Sequence, residues 1–424
     1  MASPLAPHVA RVASEWLRDC PQARFRELEG SLLFADISGF TQLSERLARR
    51  GRVGAEDLVT IINGCFAGLL EAAYEQGGSL LKFGGDALLL FFSGPEHAGR
   101  AGNAAWRMRD RLRAFVRNSP IVGIRRLRMS IGIHSDQFQF FLVGGSHREL
   151  IVTGPGATQT VACEAVAEAS EILISSKTAA LLDSRVVGTA KDPGWLLAGA
   201  PAVERPAGFD PGVDLGERGF EALVPIALRE HIKSGAEEPE HRDCAVAFIR
   251  FSGVEALLAG PGIEAVAEAI DQLVQATQAA VEKEGITFLE SDIDRDGGKL
   301  MLVAGAPTAS DRDEEKLLRV LRQVVDSKST LTLRIGVNYG HVFTGVVGTP
   351  FRREYTVMGD PVNLAARLTG RAAPGQVVVT PRALERSRIV FQLERLEPFR
   401  VKGKKKPVEA FAVGGMLEDR KSVV

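Results

Sequence analysis

Ser31-Leu-Leu-Phe-Ala-Asp-Ile-Ser-Gly-Phe40 and Ala245-Val-Ala-Phe-Ile-Arg-Phe-Ser-Gly-Val254 decide how this chain is organised. Each is an apolar run of strand length closed by a Ser-Gly turn, and each is followed by a helical pattern. With Asp36 set against Arg250 they lie 214 residues apart. Outward from them, an apolar hairpin occurs in both halves, Ser79 to Phe92 and Ile286 to Val303, with Gly85-Asp86 opposite Gly298-Lys299 at an offset of 213. Met129-Ser-Ile-Gly-Ile-His-Ser135 then matches Leu333-Arg-Ile-Gly-Val-Asn-Tyr339, and Val152-Thr-Gly-Pro155 matches Val357-Met-Gly-Asp360, at offsets of 204 and 205. A repeat of this length is two copies of one domain. The order strand, helix, hairpin, helix, strand predicts an α+β fold: two ferredoxin-like units, each a mostly antiparallel sheet with helices packed on it.

The 424 residues suit two domains of roughly 200 each. Residues 1–28 are expected to form a helical arm, with Val9, Val12, Trp16 and Leu17 at helical spacing. The first domain is expected at 29–232, a polar linker at 233–242, the second domain at 243–415 and a tail at 416–424. A hydrophobic share of 45% fills two cores, and 52 basic against 53 acidic residues leave a net charge of −1, so bulk charge recruits neither nucleic acid nor a membrane surface. Runs such as Ala87 to Phe92 are far shorter than the roughly 20 residues of a membrane span. The four cysteines have no CxxC spacing, which points to a reducing cytoplasm and away from a disulfide framework.

Asp36 ends a buried strand and Asp86 sits in a tight Gly-Gly-Asp turn. Should the strand lie beside that hairpin, two hard oxygen donors meet at one point, as Mg²⁺ or Mn²⁺ requires. Each aspartate alone is as readily a helix cap or a turn residue. Asn363 and Arg367 stand four apart, so a helix places them on one face.

The strings Phe34-Ala-Asp-Ile-Ser-Gly-Phe-Thr41, Lys82-Phe-Gly-Gly-Asp-Ala87, Tyr355-Thr-Val-Met-Gly-Asp-Pro-Val-Asn-Leu-Ala-Ala-Arg-Leu368 and Val401-Lys-Gly-Lys404 resemble the motifs of class III nucleotide cyclases, and the resemblance runs from Ser31 to Val413. It implies that the two domains pair head to tail as an intramolecular pseudo-heterodimer, so a monomer suffices. It implies a metal set of Asp36, Ile37 and Asp86 holding two Mg²⁺ or Mn²⁺, and phosphate binding by Gly39, Phe40, Thr41 and Lys402. Asn363 would orient the ribose and Arg367 would stabilise charge on the attacked phosphate. Thr356 and Val357 would flank the base, with Arg295, four before Lys299, as the accompanying cation. The implied reaction is ATP to 3′,5′-cyclic AMP and pyrophosphate.

The halves have diverged in complementary fashion: Thr158 and Ala162 replace the asparagine and arginine in the first, and Arg250 and Lys299 replace the aspartates in the second. One active site is therefore expected, together with a degenerate pocket for a small-molecule or anion regulator. Lys82 matches a bicarbonate-contacting lysine of the soluble two-domain type, although no arginine stands near Val161. His134 and His341 have no partner motif and are read as structural. Two other readings stay open: a guanylyl cyclase, and a nucleotide-sensing module without turnover.

Overall fold

A computed structural model describes residues 3–48, 51–118, 127–204, 206, 213–235, 238–385, 390–401 and 406–417. After an N-terminal arm carrying α1 (Arg11–Asp19), the first repeat comprises β1 (Phe25–Ser38), α2 (Phe40–Ala48), α3 (Gly51–Tyr74), β2 (Ser79–Gly84), β3 (Ala87–Ser93), α4 (His97–Asn118), β4 (Arg128–Val143), β5 (Glu149–Thr153), α5 (Pro155–Val166), β6 (Ile172–Ser175), α6 (Ser176–Ala180), β7 (Val187–Lys191) and β8 (Gly194–Leu197). Helices α7 (Gly216–Glu221) and α8 (Ile226–Lys233) lead to the second repeat. That repeat comprises β9 (Glu240–Ser252), α9 (Val254–Ala259), α10 (Ile263–Glu284), β10 (Thr287–Asp294), β11 (Gly297–Ala304), α11 (Asp313–Asp326), β12 (Thr332–Thr349), β13 (Arg352–Met358), α12 (Asp360–Leu368), β14 (Gln376–Val379), α13 (Pro381–Leu384), β15 (Phe391–Arg395) and β16 (Phe411–Met416).

Among the described residues there are two eight-stranded sheets of the same topology, β2-β3-β1-β4-β6-β8-β7 and β10-β11-β9-β12-β14-β16-β15, with β5 on β4 and β13 on β12. Only the β4–β6 and β12–β14 pairs are parallel. The central strands read as almost continuous apolar runs because both of their faces are covered. Leu33, Ala35 and Ile37 enter the core under α3 and α4. Ala245, Ala247, Ile249 and Phe251 do the same under α10 and α11. The alternate residues Leu32, Val246 and Phe248 meet in a third apolar layer between the domains, which the arm seals with Leu5 and Trp16, both fully buried.

The expected arm is thus a packed helix, whose Trp16 indole donates to the Ala23 carbonyl at 3.1 Å. The segment Glu56–Tyr74 of α3 is long and apolar enough to cross a bilayer by length and composition, yet Leu58, Ile61, Ile62, Phe66, Leu69 and Leu70 are core residues of the first domain.

Candidate functional site between the two domains

The β1–β3 register sets Asp36 opposite Ala87, and the two-residue turn Gly85-Asp86 joins β2 to β3, so both aspartates reach the same sheet edge. Gly85 adopts a φ of 66°, a conformation glycine enters without a Cβ penalty. The Ile37 N–H donates to the Asp86 carbonyl at 3.2 Å and locks the turn onto β1. Burial, with the Asp36 carboxylate beside it, pushes the Asp86 carboxyl up to about 7, while Arg367 of the other domain acts in the opposite direction. Two mutually repelling, half-buried carboxylates of hard oxygens form a donor set that a divalent cation relieves, and the residues fit Mg²⁺ or Mn²⁺. Gly39, at a φ of 102°, opens α2, and Phe40 behind it packs on Phe66 with ring centroids 6.1 Å apart.

Helix α12 brings the second domain's contribution. Pro361 stands in its first turn and Gly359 precedes it at a φ of 142°. Its position over β12 depends on Gly336, where a Cβ would lie 2.3 Å from the Ala365 carbonyl. Asn338 Nδ2 also donates to the Pro361 carbonyl at 3.0 Å. Asn363 lines the cavity between the domains together with Phe40, Gly84, Gly85, Asp86 and residues of β10, β11 and β13. Val357 is on that wall. Thr356 is buried beside it and its hydroxyl finds no hydrogen-bond partner among the described residues, but it is not a lining residue.

Three expectations need correction. Arg295 is exposed in the turn of the β10–β11 hairpin and stays outside the cavity. The reason is a hairpin four residues longer than its counterpart, two on each strand: Lys299 pairs with Arg250 as Ala87 pairs with Asp36, so Gly298 takes the place of Asp86. By the same register Glu290, opposite Met301, occupies the place of Lys82, opposite Leu89. Sequence reasoning missed Glu290, although it lines the cavity with Asp292, Lys299 and Met301. The Asp296-Gly297 pair was the available signal, since Asp-Gly favours a tight hairpin turn, and Asp296 does adopt a positive φ of 54°.

The second correction concerns the degenerate half, where direct contacts cross the expected regulator pocket. Thr158 donates to Glu255 Oε1 at 2.6 Å and accepts from the Asp296 N–H at 2.8 Å, and Thr153 donates to the Gly297 carbonyl at 2.8 Å. Arg250 and Lys299 converge on Asp294 Oδ2 at 2.8 and 3.5 Å, an internal ion cluster in which Arg250 stands at the position of Asp36. Third, Lys82 is not an unpaired cation, although it lines a second cavity beside the arm. It pairs with the buried Glu149, which also accepts from the Ser291 N–H and hydroxyl at 3.0 and 2.7 Å. Lys402 lies outside the described residues. His134 bonds Ser175 at 2.7 Å and His341 bonds Asp243 at 3.2 Å, both remote from the cavity.

A family model described as the adenylate and guanylate cyclase catalytic domain matches residues 26–194 and again 237–415. Adenylate cyclase type 10 of Homo sapiens is 24% identical over 409 residues, covering 82% of this chain and 24% of that protein, so the chain spans about a quarter of that relative's length. An adenylate cyclase of Mycobacterium bovis is 27% identical over 199 residues, 43% of this chain and 44% of that one. A solved class III adenylyl cyclase-like ATP-binding protein from Pseudomonas aeruginosa shares the fold with a TM-score of 0.59 at 10% identity, over 86% of this chain and 85% of that one. Two consecutive matches to one model, on two sheets of one topology, establish that the chain belongs to the adenylate and guanylate cyclase catalytic domain family and carries two copies of that domain.

Proposed function

We propose that the chain is an adenylate cyclase with one active site, converting ATP to 3′,5′-cyclic AMP and pyrophosphate. The observation that carries this reading is the single cavity to which Asp86 comes from one domain and Asn363 from the other. Similarity to adenylate cyclase type 10 supports ATP as the nucleotide.

In this reading Asp36 and Asp86 hold two Mg²⁺ or Mn²⁺, which when bound would lower the pKa of the ribose 3′-hydroxyl and offset phosphate charge. Asn363 orients the ribose so that the 3′-oxygen faces the α-phosphorus in line. The new 3′-O–P bond forms as the bond from the α-phosphorus to the α,β-bridging oxygen breaks; pyrophosphate leaves with that electron pair and the 3′-hydroxyl proton passes to water. Arg367, one turn further along α12, meets the charge that develops on the α-phosphate. The Gly39–Thr41 turn, with Lys402, receives the departing pyrophosphate. The internal pair of domains makes a monomer sufficient. A regulatory anion at Lys82 would first have to displace Glu149.

GTP is the second reading, and Glu290 is the observation that favours it: its carboxyl lies on the cavity wall and, when ionised, matches the two adjacent donors, N1–H and 2-amino, of guanine. Incubation of the chain with ATP or GTP and Mg²⁺ or Mn²⁺, with both cyclic products quantified, tests the proposal. Cyclic AMP that disappears in Asp86→Ala and in Arg367→Ala supports a shared site. Nucleotide binding with no cyclic product under either metal would favour a sensing module.

A further inference from the structure

Arg352 opens β13 in the second domain, is 3% exposed, and extends its guanidinium against the first domain. Its Nε donates to the Leu80 carbonyl at 3.5 Å and its Nη2 to the Leu81 carbonyl at 3.3 Å, both on β2. Nη1 donates to the Pro7 carbonyl of the arm at 3.4 Å and to the Arg353 carbonyl at 2.8 Å, and Nη2 also reaches Glu354 Oε2 at 3.5 Å. The same group lies over the Phe83 ring, 5.6 Å from its centroid. Most of these bonds are long and singly weak. A guanidinium stays charged, however, and a buried charge needs the whole set of acceptors in place of water. The arm, β2 and β13 must therefore be assembled together for Arg352 to be buried, and that requirement ties their positions to one another.

We propose that Arg352 is a positioning residue that sets the separation between the metal half of the cavity and the nucleotide half. Its consequence for turnover rests on the cyclase reading of that cavity. Strand β2 runs from Leu80 and Leu81 into Gly84 and the Asp86 turn, while β13 runs from Arg352 through Thr356 and Val357 toward the helix of Asn363 and Arg367. Phe83 extends the link: its ring packs on Phe66 at 5.3 Å, and Phe66 packs on Phe40, which lines the cavity. A second fastening holds the β12–β13 hairpin, where Asn63 Oδ1 of α3 accepts from the Gly348 N–H at 2.9 Å. The degenerate half is held differently. Glu149 and Glu354 stand opposite Val143 and Val347, so His147 takes the place of Arg352. His147 bonds Gln278 at 3.0 Å and sets its ring edge-on to Phe288 of β10, with centroids 5.1 Å apart. A cation spans the domains beside the active half, and an imidazole does so beside the degenerate one.

The test compares Arg352→Lys, which keeps the charge and loses the planar fork, with His147→Ala, both in the full chain. Two quantities are read: kcat per folded molecule, and the gain in affinity for α,β-methylene-ATP on adding Mn²⁺. The unaltered chain should bind that analogue about tenfold or more tightly with Mn²⁺ than without, because the two halves are held in register. Arg352→Lys should lose most of this gain and lower kcat about 10²-fold, the scale of a misplacement of about 1 Å. His147→Ala should lower the unfolding temperature yet keep both quantities within about twofold. A kcat loss in Arg352→Lys that only follows the folded fraction, read by circular dichroism at the assay temperature, overturns the inference, and so does an unchanged Mn²⁺ gain. If Arg352→Lys does not fold, Asn63→Ala loosens the same hairpin and is read by the same two measurements, with losses of about tenfold expected. A Mn²⁺ gain that Arg352→Lys removes, in a chain that makes no cyclic product, keeps the inference and sinks the cyclase reading. Cyclic AMP formation with the gain and kcat both unchanged in Arg352→Lys does the reverse.

Discussion

Glu149 and Glu354 are mates across the pseudo-twofold axis. Their strand partners, Val143 and Val347, are related by the offset of 204 that also relates Met129 to Leu333. Each glutamate reaches the other domain's hairpin: Glu149 accepts from the Ser291 N–H at 3.0 Å, and Glu354 from the Phe83 N–H at 3.4 Å. The two bonds fasten each hairpin to the short strand of the opposite domain. Their surroundings differ. Burial opposes the charge of Glu149, yet Lys82 and His147 hold its carboxyl well below the usual range, whereas burial raises that of Glu354.

Glu149→Ala should therefore be strongly destabilising, because it strands Lys82 and His147 in a buried site. A loss of about 3–5 kcal/mol is expected from urea unfolding. The double variant Lys82→Met/Glu149→Leu removes both charges and should recover most of that loss. Simple additivity of the two single changes would show that the pair is not coupled.

The complementary loss of motifs predicts unequal responses from equivalent positions. Arg367→Ala should lower kcat by about 10²–10³-fold, the scale of removing one group aimed at developing charge. Thr158→Val, at the position equivalent to Asn363, should leave kcat within about twofold. Its cost should fall on stability, about 1–2 kcal/mol for the lost bonds to Glu255 and the Asp296 N–H. Steady-state kinetics with parallel thermal unfolding separates the two effects. A large kcat loss in Thr158→Val would mean that the second half still handles nucleotide.

The repeat, the two sheets, Asp36, Asp86 and the α12 pair were legible in the sequence because each is encoded by a short contiguous string. Asp36 is two residues from a Ser-Gly turn, and Asn363 and Arg367 share one helical face whatever lies around them. Glu290 was not legible, because its position depends on hairpin length. Counting back from Lys299 assumes equal hairpins, and a one-residue step in register together with four extra hairpin residues moves the place of Lys82 from Arg295 to Glu290. The contacts that fill the degenerate half were hidden for a related reason: Thr158 and Glu255 are 97 residues apart and belong to different domains.

Acidification should loosen the arm. Burial first, then the nearby Arg352, Arg353 and His231, lowers His8 from an ordinary value near 6.5 to about 3. A base whose folded value is depressed binds more protons unfolded, so the stability it contributes is complete above about pH 6.5 and lost as pH falls toward 3. At pH 5 the loss is about 2 kcal/mol if the arm detaches as a unit. Limited proteolysis across residues 3–24 at pH 7 and pH 5, with His8→Gln as the comparison, checks this. Equal acid sensitivity in His8→Gln would assign the effect to another group.

The last prediction concerns two glycines at equivalent strand positions. A Cβ at Gly336 would lie 2.3 Å from the Ala365 carbonyl and 2.8 Å from the Leu368 Cβ, while one at Gly132 would lie 2.3 Å from the Glu164 N and 2.7 Å from the Thr160 carbonyl. These are backbone atoms of α12 and α5 together with a Cβ that the α12 backbone fixes, so neither helix can yield by a side-chain rotation and each must shift bodily. Both alanine variants should lose stability by similar amounts, about 1–3 kcal/mol for overpacking. Only Gly336→Ala displaces the helix that carries Asn363 and Arg367, and a misplacement of about 1 Å is enough to cost on the order of 10²-fold in rate. Gly132→Ala moves a helix that carries Thr158 and Ala162 and should keep most of its turnover at temperatures where it stays folded. Equal kcat losses in the two would mean that the halves contribute alike to the reaction, against the single-site arrangement.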